Sequence, residues 1–312
     1  MPQVLSMGEL LVEVMRPGVD EPLDRQGTFV GPFPSGAPAI FIDAVARLGV
    51  SCGFVGVVGD DPFGRCVLNR LTRDGVDVRH VRLVSHRTTG IAFVAYRSDG
   101  SRQFVFHLPQ SAAALLSPDD VRKEYLEGVR ALHITGSALA ISDSAREACY
   151  RAVRLCKQRG GMVSFDPNVR PELLGVEAVQ ALCEPVLASC DVLLPSGAEA
   201  TMLSGDTDEE TACQKLVASG IPIVVLKRGA QGCSVFTDQL RAEVPAYPVN
   251  EVDPTGAGDA FAGGFVVALL RGMSVQEAAR FASAVGAMAV TRQGPMEGLP
   301  TLSQLESFLC SR

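Results

Sequence analysis

One stretch combines residue types that can bind and transfer a phosphate group: 253–261, which reads Asp-Pro-Thr-Gly-Ala-Gly-Asp-Ala-Phe. Pro254, Gly256 and Gly258 predict a tight turn in which a ligand can reach bare backbone. A helix that begins at such a turn points its first amide groups outward, and these attract anions, phosphate above all. Asp259 would repel a phosphate there unless it had a chemical task. We therefore expect Asp259 to act as a general base that takes the proton of an attacking hydroxyl.

A helical pattern does follow the turn. Phe261, Phe265 and Leu269 recur at four-residue spacing, and Gly272 ends the run. In a second interpretation the glycines serve packing, and Asp259 only complements the helix dipole. The segment matches neither a dinucleotide fingerprint, which needs a third glycine at Phe261, nor a Walker A loop, which needs a lysine after the glycines.

Composition restricts the class of protein. The chain has 312 residues, 47% of them hydrophobic, which is enough for a large α/β core. A net charge of −7 without long runs of one sign argues against nucleic acid as the main partner. The nine cysteines show no zinc-like spacing, which favours core packing in a reducing compartment. No apolar run approaches the roughly 20 residues needed to span a bilayer, so we expect a cytoplasmic protein without a membrane partner.

Strand-like and helix-like segments alternate from Ala131 onward, which predicts a parallel sheet with crossover helices. The predicted strands are 3–7, 51–58, 131–134, 162–166, 192–194, 223–227 and 232–237. The predicted helices are 142–159, 175–188, 198–203, 209–218, 261–270 and 274–291, and two earlier ones end near residues 49 and 75. The last helix is expected to begin with a capping box between Ser274 and Glu277.

A smaller sheet is predicted outside this core. Alternating runs at 89–98 and 102–107 flank Asp99-Gly100, a strong hairpin signal. The segment 16–34 is rich in glycine, proline and charge and is typical of a peripheral region. The hairpin and residues 10–33 would together form the small sheet, and an ordinary edge hairpin is the alternative.

The stretch 253–261 resembles the C-terminal signature of the ribokinase-like (PfkB) carbohydrate kinases. The N-terminal half is similar to the same family, with a loop and helix at 34–49, a strand, and then Gly-Asp-Asp-Pro-Phe-Gly at 59–64. The resemblance implies a ribokinase-like α/β fold, in which helices flank a central, mostly parallel sheet. It also implies a single kinase domain over 1–312, with a small β-sheet lid formed by about 10–33 and 88–109.

The resemblance assigns catalytic roles by matching positions. The backbone of Gly256, Ala257 and Gly258 would form an anion hole, and Asp259 would be the catalytic base. Glu199 matches the glutamate of an Asn-x-x-Glu motif linked to Mg²⁺, and it would reach the ion through water. Ser196 stands at the asparagine of that motif. A plain first-turn role for Glu199 remains open.

Nucleotide and substrate contacts follow in the same way. The turn after the strand 223–227 borders the nucleotide in relatives, and position 283 often carries an adenosine-side asparagine there. The candidate nucleotide-binding residues are Lys227, Gly229, Gly232, Gly256, Gly258 and Ser283. The loop at 166–171 resembles the Asp-x-Asn-x-Arg loop of fructokinase and ketodeoxygluconate kinase relatives. The other candidate substrate contacts lie in an N-terminal strand, in the first loop, in the lid and at the catalytic base. The full set of candidate substrate-binding residues is Glu13, Gly36, Ala37, His107, Asn168, Arg170 and Asp259.

Three departures from the family pattern concern the substrate. Ser35 replaces a glycine, Ile40 stands at a sugar-binding asparagine, and Leu108 aligns with an arginine that holds a carboxylate in ketodeoxygluconate kinases. A neutral sugar is therefore favoured. Arg102 or Arg97 could replace the missing cation, which keeps an acidic sugar open.

The implied function is ATP-dependent phosphorylation of a primary hydroxyl of a ketohexose of the fructose or tagatose class. The alternatives are a 2-keto-3-deoxygluconate kinase, a nucleoside kinase of the same superfamily, a non-catalytic sugar-binding regulator, and an unrelated α/β enzyme that reuses the glycine turn. The resemblance implies ATP and Mg²⁺ as cofactors and leaves room for K⁺. It further implies a homodimer formed through the lid.

Overall fold

A large sheet of nine strands forms the centre of the computed structural model, which describes residues 1–168 and 176–311. A second sheet of four strands lies beside it. In chain order the strands are β1 (Val4–Gly8), β2 (Leu11–Val19), β3 (Val30–Ser35), β4 (Cys52–Gly59), β5 (Asp77–Val84), β6 (Gly90–Tyr96), β7 (Arg102–His107), β8 (Ala131–Thr135), β9 (Met162–Asp166), β10 (Val192–Leu193), β11 (Ile223–Lys227), β12 (Cys233–Phe236) and β13 (Arg241–Val244).

The large sheet has the order β13-β12-β11-β10-β9-β8-β1-β4-β5. The strands from β11 to β5 in this order pair in parallel, whereas β12 and β13 are antiparallel. The carboxyl ends of β11, β10, β9, β8 and β1 therefore lie next to one another along one edge. Ligands of open parallel sheets bind at such an edge.

Helices cover both faces of the large sheet. They are α1 (Ala37–Arg47), α2 (Pro62–Arg73), α3 (Gly136–Ala140), α4 (Asp143–Gln158), α5 (Val176–Leu187), α6 (Glu199–Ser204), α7 (Glu209–Ala218), α8 (Ala257–Leu270), α9 (Val275–Ala289) and α10 (Leu302–Cys310). Side chains alternate across a strand, so neighbours such as Phe54 and Val55 enter different core clusters. One cluster packs against α1, α2, α8, α9 and α10, and the other against α3 to α7. None of the described helices is long and apolar enough to cross a membrane.

The small sheet has the order β3-β2-β6-β7. β2 pairs with β6 in parallel, and the other two pairs are antiparallel. Its register places Glu13 opposite Ala92 and Tyr96 opposite Arg102. Because side chains of directly paired residues share a face, these four lie on the same side of the sheet.

The α/β architecture with a small second sheet confirms the predicted fold class. The predicted start of α8 at residue 261 was wrong, since the helix begins at Ala257. Residues 259–268 of α8 are buried all round, so no amphipathic stripe marks where the helix starts. The predictions omitted β5, β13, α3 and α10. β5 is a half-exposed edge strand rich in charge, which weakens its apolar pattern.

Candidate active site

A cleft of about 360 Å³ opens at the carboxyl edge of the large sheet and is lined by residues of both sheets. The five adjacent parallel strands each supply a polar residue at or just after their last position. These residues are Glu9 after β1, Ser137 after β8, Asp166 at the end of β9, Ser196 after β10 and Lys227 at the end of β11. The order of the strands thus collects residues that are far apart in the chain.

The start of α8 forms one wall of the cleft. Gly256 precedes the helix with a φ of +79°, and a Cβ at this position would lie 2.6 Å from the carbonyl oxygen of Pro295. Only glycine suits this conformation and this close approach. Gly258 and Asp259 also line the cleft, and Asp259 is 8% exposed. The wall therefore combines first-turn amides, which favour an anion, with a nearly buried carboxylate.

Lys227 joins this wall to the sheet edge. Its ammonium donates to Asp166 at 2.5 Å, and a Cβ built on Gly258 would lie 3.3 Å from the ammonium nitrogen. Burial opposes the charge of Lys227, but Asp166, Glu199 and Asp259 outweigh burial, so the pKa is raised. Lys227 is therefore a permanent cation among three carboxylates.

His133 on β8 lies in the core near this cation. Its Nδ1 shares a 2.8 Å hydrogen bond with the Ser164 hydroxyl, and its ring stacks on Phe41 with centroids 3.7 Å apart. Burial first, and then the charge of Lys227, hold the pKa of His133 well below its usual value. The imidazole is accordingly neutral and supports the floor of the site as a packed polar group.

Two buried glutamates occupy another part of the cleft. Glu9 is 2% exposed and accepts a 2.6 Å hydrogen bond from the Ser137 hydroxyl. Glu13 accepts one of the same length from Ser35, which explains the serine at this position. The carboxyl oxygens of both residues can accept hydrogen bonds, so this end of the cleft favours a ligand with several hydroxyl groups.

The turn that leads from β3 into α1 closes against the first of these glutamates. Gly36 has a φ of +114°, and a Cβ at this position would lie 2.5 Å from the Glu9 carbonyl oxygen. Ala37 follows as the first residue of α1, and both residues line the cleft. Ile40, one turn further, lines it too and lies beside the position of a Cβ on Gly256. Ile40, which stands where the family pattern has a sugar-binding asparagine, therefore packs as an apolar side chain against the glycine turn.

The small sheet contributes alternate residues of β7. Arg102, Phe104 and Phe106 line the cleft, and the two aromatic rings stack with centroids 5.2 Å apart. His107 has the opposite parity, is exposed, and lies outside the cleft lining. Because side chains alternate between the two faces of a strand, His107, a candidate substrate-binding residue, projects away from the cleft.

The loop after β9 and the segment after β10 face the cleft beside Lys227. Asn168 has a φ of +38° and donates its backbone amide to Asp166 at 3.1 Å. Glu199 accepts a 2.7 Å hydrogen bond from the backbone amide of Ser196, which orients its carboxylate at the start of α6. Arg170, the remaining candidate of this loop, lies outside the described residues.

The structure brings together most of the predicted site residues. Those that line the cleft are Glu13, Gly36, Ala37, Asn168, Glu199, Lys227, Gly256, Gly258 and Asp259. Those that do not are Ala257, His107, Gly229, Gly232 and Ser283. Gly232 has a packing reason of its own, because a Cβ there would lie 2.0 Å from the Val244 carbonyl oxygen.

Glu9 and Ser137 were missed by the sequence reasoning. Glu9 is the first residue after β1 and Ser137 the second after β8, so the rule that ligands bind beyond carboxyl ends of parallel strands could have found them. Among the residues that the structure describes, no three acidic, histidine or cysteine side chains group as a metal-binding cluster. Asp166 and Glu199 are cleft carboxylates that suit an ion retaining most of its water, as Mg²⁺ does.

Comparisons with known proteins agree on one family. The family described as pfkB family carbohydrate kinase matches residues 1–302. Fructokinase-2 of Oryza sativa subsp. japonica is 33% identical over 98% of this chain and 93% of its own length. Fructokinase-1 of the same plant is 34% identical, over 96% of this chain and 94% of its own.

Solved structures share the fold over nearly the whole length. An Escherichia coli protein, provisionally described as a ribokinase II and crystallised with ATP and Mg²⁺, is 41% identical, with a TM-score of 0.94 and complete coverage of both chains. A double mutant of Vibrio cholerae O395 fructokinase with bound fructose, ADP and potassium ion is 32% identical, with a TM-score of 0.86 and coverage of 99% of this chain and 98% of that one. Aminoimidazole riboside kinase of Salmonella enterica, complexed with its riboside and an ATP analog, is 31% identical, with a TM-score of 0.84 and coverage of 98% and 99%.

Proposed function

This chain belongs to the pfkB family of carbohydrate kinases, and we propose that it transfers the γ-phosphate of ATP to a primary hydroxyl of a ketohexose, with fructose the first candidate. The observation that carries the proposal is the position of Asp259, a nearly buried carboxylate in the first turn of α8 that lines the same cleft as Glu9 and Glu13. A base, an anion-binding helix start and acceptors for hydroxyl groups thus share one cavity.

In the proposed reaction, Asp259 accepts the proton of the sugar hydroxyl while the hydroxyl oxygen attacks the γ-phosphorus. A new P–O bond forms, the bond to ADP breaks, and charge accumulates on the phosphoryl oxygens. We expect Lys227, which lies beside the start of α8, and the first amides of that helix to stabilise this charge. Glu9 and Glu13 accept hydrogen bonds from the remaining hydroxyls and so orient the sugar.

Mg²⁺ fits this site, with Asp166 and Glu199 as the carboxylates that would hold it through water. When bound, the ion supplies further positive charge at the phosphates. We propose the small sheet as a lid that excludes water, an acceptor that would otherwise compete with the sugar. Whether K⁺ is also required is tested by adding it to the assay described below.

A sugar acid such as 2-keto-3-deoxygluconate is the second candidate substrate, and one observation favours it. Arg102 lines the cleft, although Leu108 stands at the position expected to carry the cation. Arg102→Gln should raise the KM of an acidic substrate by about tenfold or more, because a charge-assisted hydrogen bond is lost, and should change that of fructose little.

The test is ADP release with Mg·ATP across fructose, tagatose, 2-keto-3-deoxygluconate, ribose and nucleosides, with and without K⁺. Turnover on fructose or tagatose is the expected result. Turnover on the acid alone would select the second candidate, and turnover on a nucleoside alone would overturn both. No turnover, with sugar binding still measurable by calorimetry, would instead point to a non-catalytic sugar-binding regulator.

We further propose a cytoplasmic homodimer whose subunits each fold as one kinase domain over 1–312. β7 is an edge strand of the small sheet, and Val105 on its outer side is 41% exposed, so this edge can pair with a second copy. Light scattering should give twice the 33.0 kDa mass of one chain. A mass of one chain at micromolar concentration would contradict the dimer.

A further inference from the structure

Two residues of the small sheet converge on the turn that precedes α8. Tyr96 and Arg102 are directly paired across β6 and β7 and project from the same face. The Tyr96 hydroxyl lies 2.9 Å from the Thr255 hydroxyl, and Arg102 Nη1 lies 3.4 Å from the same oxygen. The small sheet therefore contacts the glycine turn itself through two polar side chains.

Asp253 extends this contact into the core. Its carboxylate is 1% exposed, and one oxygen accepts a 2.6 Å hydrogen bond from Tyr96 and a 2.9 Å bond from the Thr255 amide. The other oxygen accepts a 2.8 Å bond from the amide of Gly294. Asp253 thus ties together the small sheet, the turn before α8 and the segment that carries Pro295, whose carbonyl abuts Gly256.

We propose that Tyr96 is a positioning residue for phosphoryl transfer. Through its contacts with Asp253 and Thr255, Tyr96 holds the segment 253–259 in one conformation. In that conformation the first amides of α8 and the Asp259 carboxylate face the cleft. The proposal rests on the proposed kinase function. Tyr96 itself does not line the cleft, so it acts only through the turn.

The chemistry of the bond suits this task. Burial, and then the neighbouring Asp253 carboxylate, raise the pKa of Tyr96, so the phenol remains a donor. The carboxyl group of Asp253 accepts three hydrogen bonds, of which the 2.6 Å bond from Tyr96 is the shortest. The position of the small sheet and the conformation of the turn consequently stabilise each other. When the bond between Tyr96 and Asp253 is lost, we expect the turn to become less ordered.

The test replaces Tyr96 by Phe, which keeps the ring and removes the hydroxyl. We expect kcat to fall about tenfold, as for loss of one charge-assisted hydrogen bond expressed in the transition state, with the KM values of sugar and ATP within about twofold. Hydrogen exchange of the amides at 253–260 should become faster in the unliganded protein.

Tyr125→Phe is the matched control, because it also removes a phenol hydrogen bond. That bond is 3.3 Å long, ends at the Asp77 carbonyl oxygen of β5 and lies away from the cleft. It should leave kcat and this exchange unchanged.

Thr255→Val provides a second variant, since it removes the hydroxyl on which Tyr96 and Arg102 converge. If the two residues act together, the double variant should lose no more activity than the more damaged single one. Wild-type kcat in Tyr96→Phe, independent multiplication of the two losses, or unchanged exchange at 253–260 would each overturn the proposal. Inactivity of the wild-type protein on every sugar would sink only the proposed function, because the exchange experiment still tests the positioning role.

Discussion

Lys227 forms an ion pair with Asp166 across the short strand β10, at the carboxyl edge of the large sheet. Both side chains are almost fully buried, with 8% and 3% of their surfaces exposed. A buried charge is tolerated only with a partner, and here the pair also lies beside Gly258 at the start of α8. One cation therefore serves both the packing of the sheet edge and the charge of the cleft.

Replacing Lys227 by Met should damage both properties. Asp166 would remain buried without its partner, so the free energy of unfolding should fall by about 3 kcal/mol. Loss of the cation beside the start of α8, where we expect the phosphate to bind, should lower kcat by about 100-fold or more. Denaturant unfolding and ADP release measure the two effects. Lys157→Met is the control, because its 2.8 Å pair with Asp191 is more exposed and its loss should cost about 1 kcal/mol or less. Wild-type kcat in Lys227→Met would rule out a catalytic contribution of this cation.

Asp259→Asn keeps the shape of the side chain and removes its basicity. The kcat should fall by roughly 10² to 10⁴, the usual contribution of a general base, while sugar binding by calorimetry changes little. Asp143→Asn serves as the control, since Asp143 is a first-turn acid of another helix, α4, outside the cleft. Equal turnover of Asp259→Asn and the wild type would favour the simple dipole role.

The glycine turn can be tested with a pair of alanine variants. Gly256 and Gly272 have φ values of +79° and +81°, so alanine at either should cost about 1 to 2 kcal/mol of stability. Only at Gly256 would the new Cβ meet backbone, whereas at Gly272 nothing lies within 4 Å. Gly256→Ala should therefore also lower kcat by about 100-fold, because the amides of α8 are displaced. Similar kcat values in both variants would show that the turn has no catalytic importance.

His133 predicts a pH dependence of stability. Its native pKa lies well below the usual value, so the native imidazole stays neutral while the unfolded chain takes up a proton below pH 6.5 or so. Stability from this group is thus present at neutral pH and is lost as the pH falls, by about 1.4 kcal/mol per unit once the unfolded imidazole is protonated. Between pH 7.5 and pH 5, the free energy of unfolding should fall less in His133→Gln than in the wild type. His107→Gln, on the outer side of the small sheet, is the comparison, and an unchanged slope in His133→Gln would contradict the argument.

Much of the fold could be predicted because its signals are local. Buried strands such as β9 and β11 are short apolar runs, and the capping box of Ser274 and Glu277 lies within one turn. The prediction failed where burial removes the pattern, as at the start of α8. It was incomplete where exposure weakens the pattern, as in β5.

The candidate site divides in the same way. Consecutive residues encode the 253–259 turn, because positive φ and an open helix start depend on glycine at particular neighbouring positions. Strand parity, which excludes His107 from the cleft, depends on the register of β6 and β7 and not on residue type.

The sequence by itself determined the family, the glycine turn and the neighbouring Asp259, because contiguous residues specify each of them. Only the tertiary structure decided that Glu9 joins Glu13, that Lys227 meets Asp166, and that Tyr96 reaches Asp253 from 157 positions away. These contacts follow from the order of the strands and the packing of one sheet on another. Such distances are set by the whole chain at once, so no local stretch of sequence contains them.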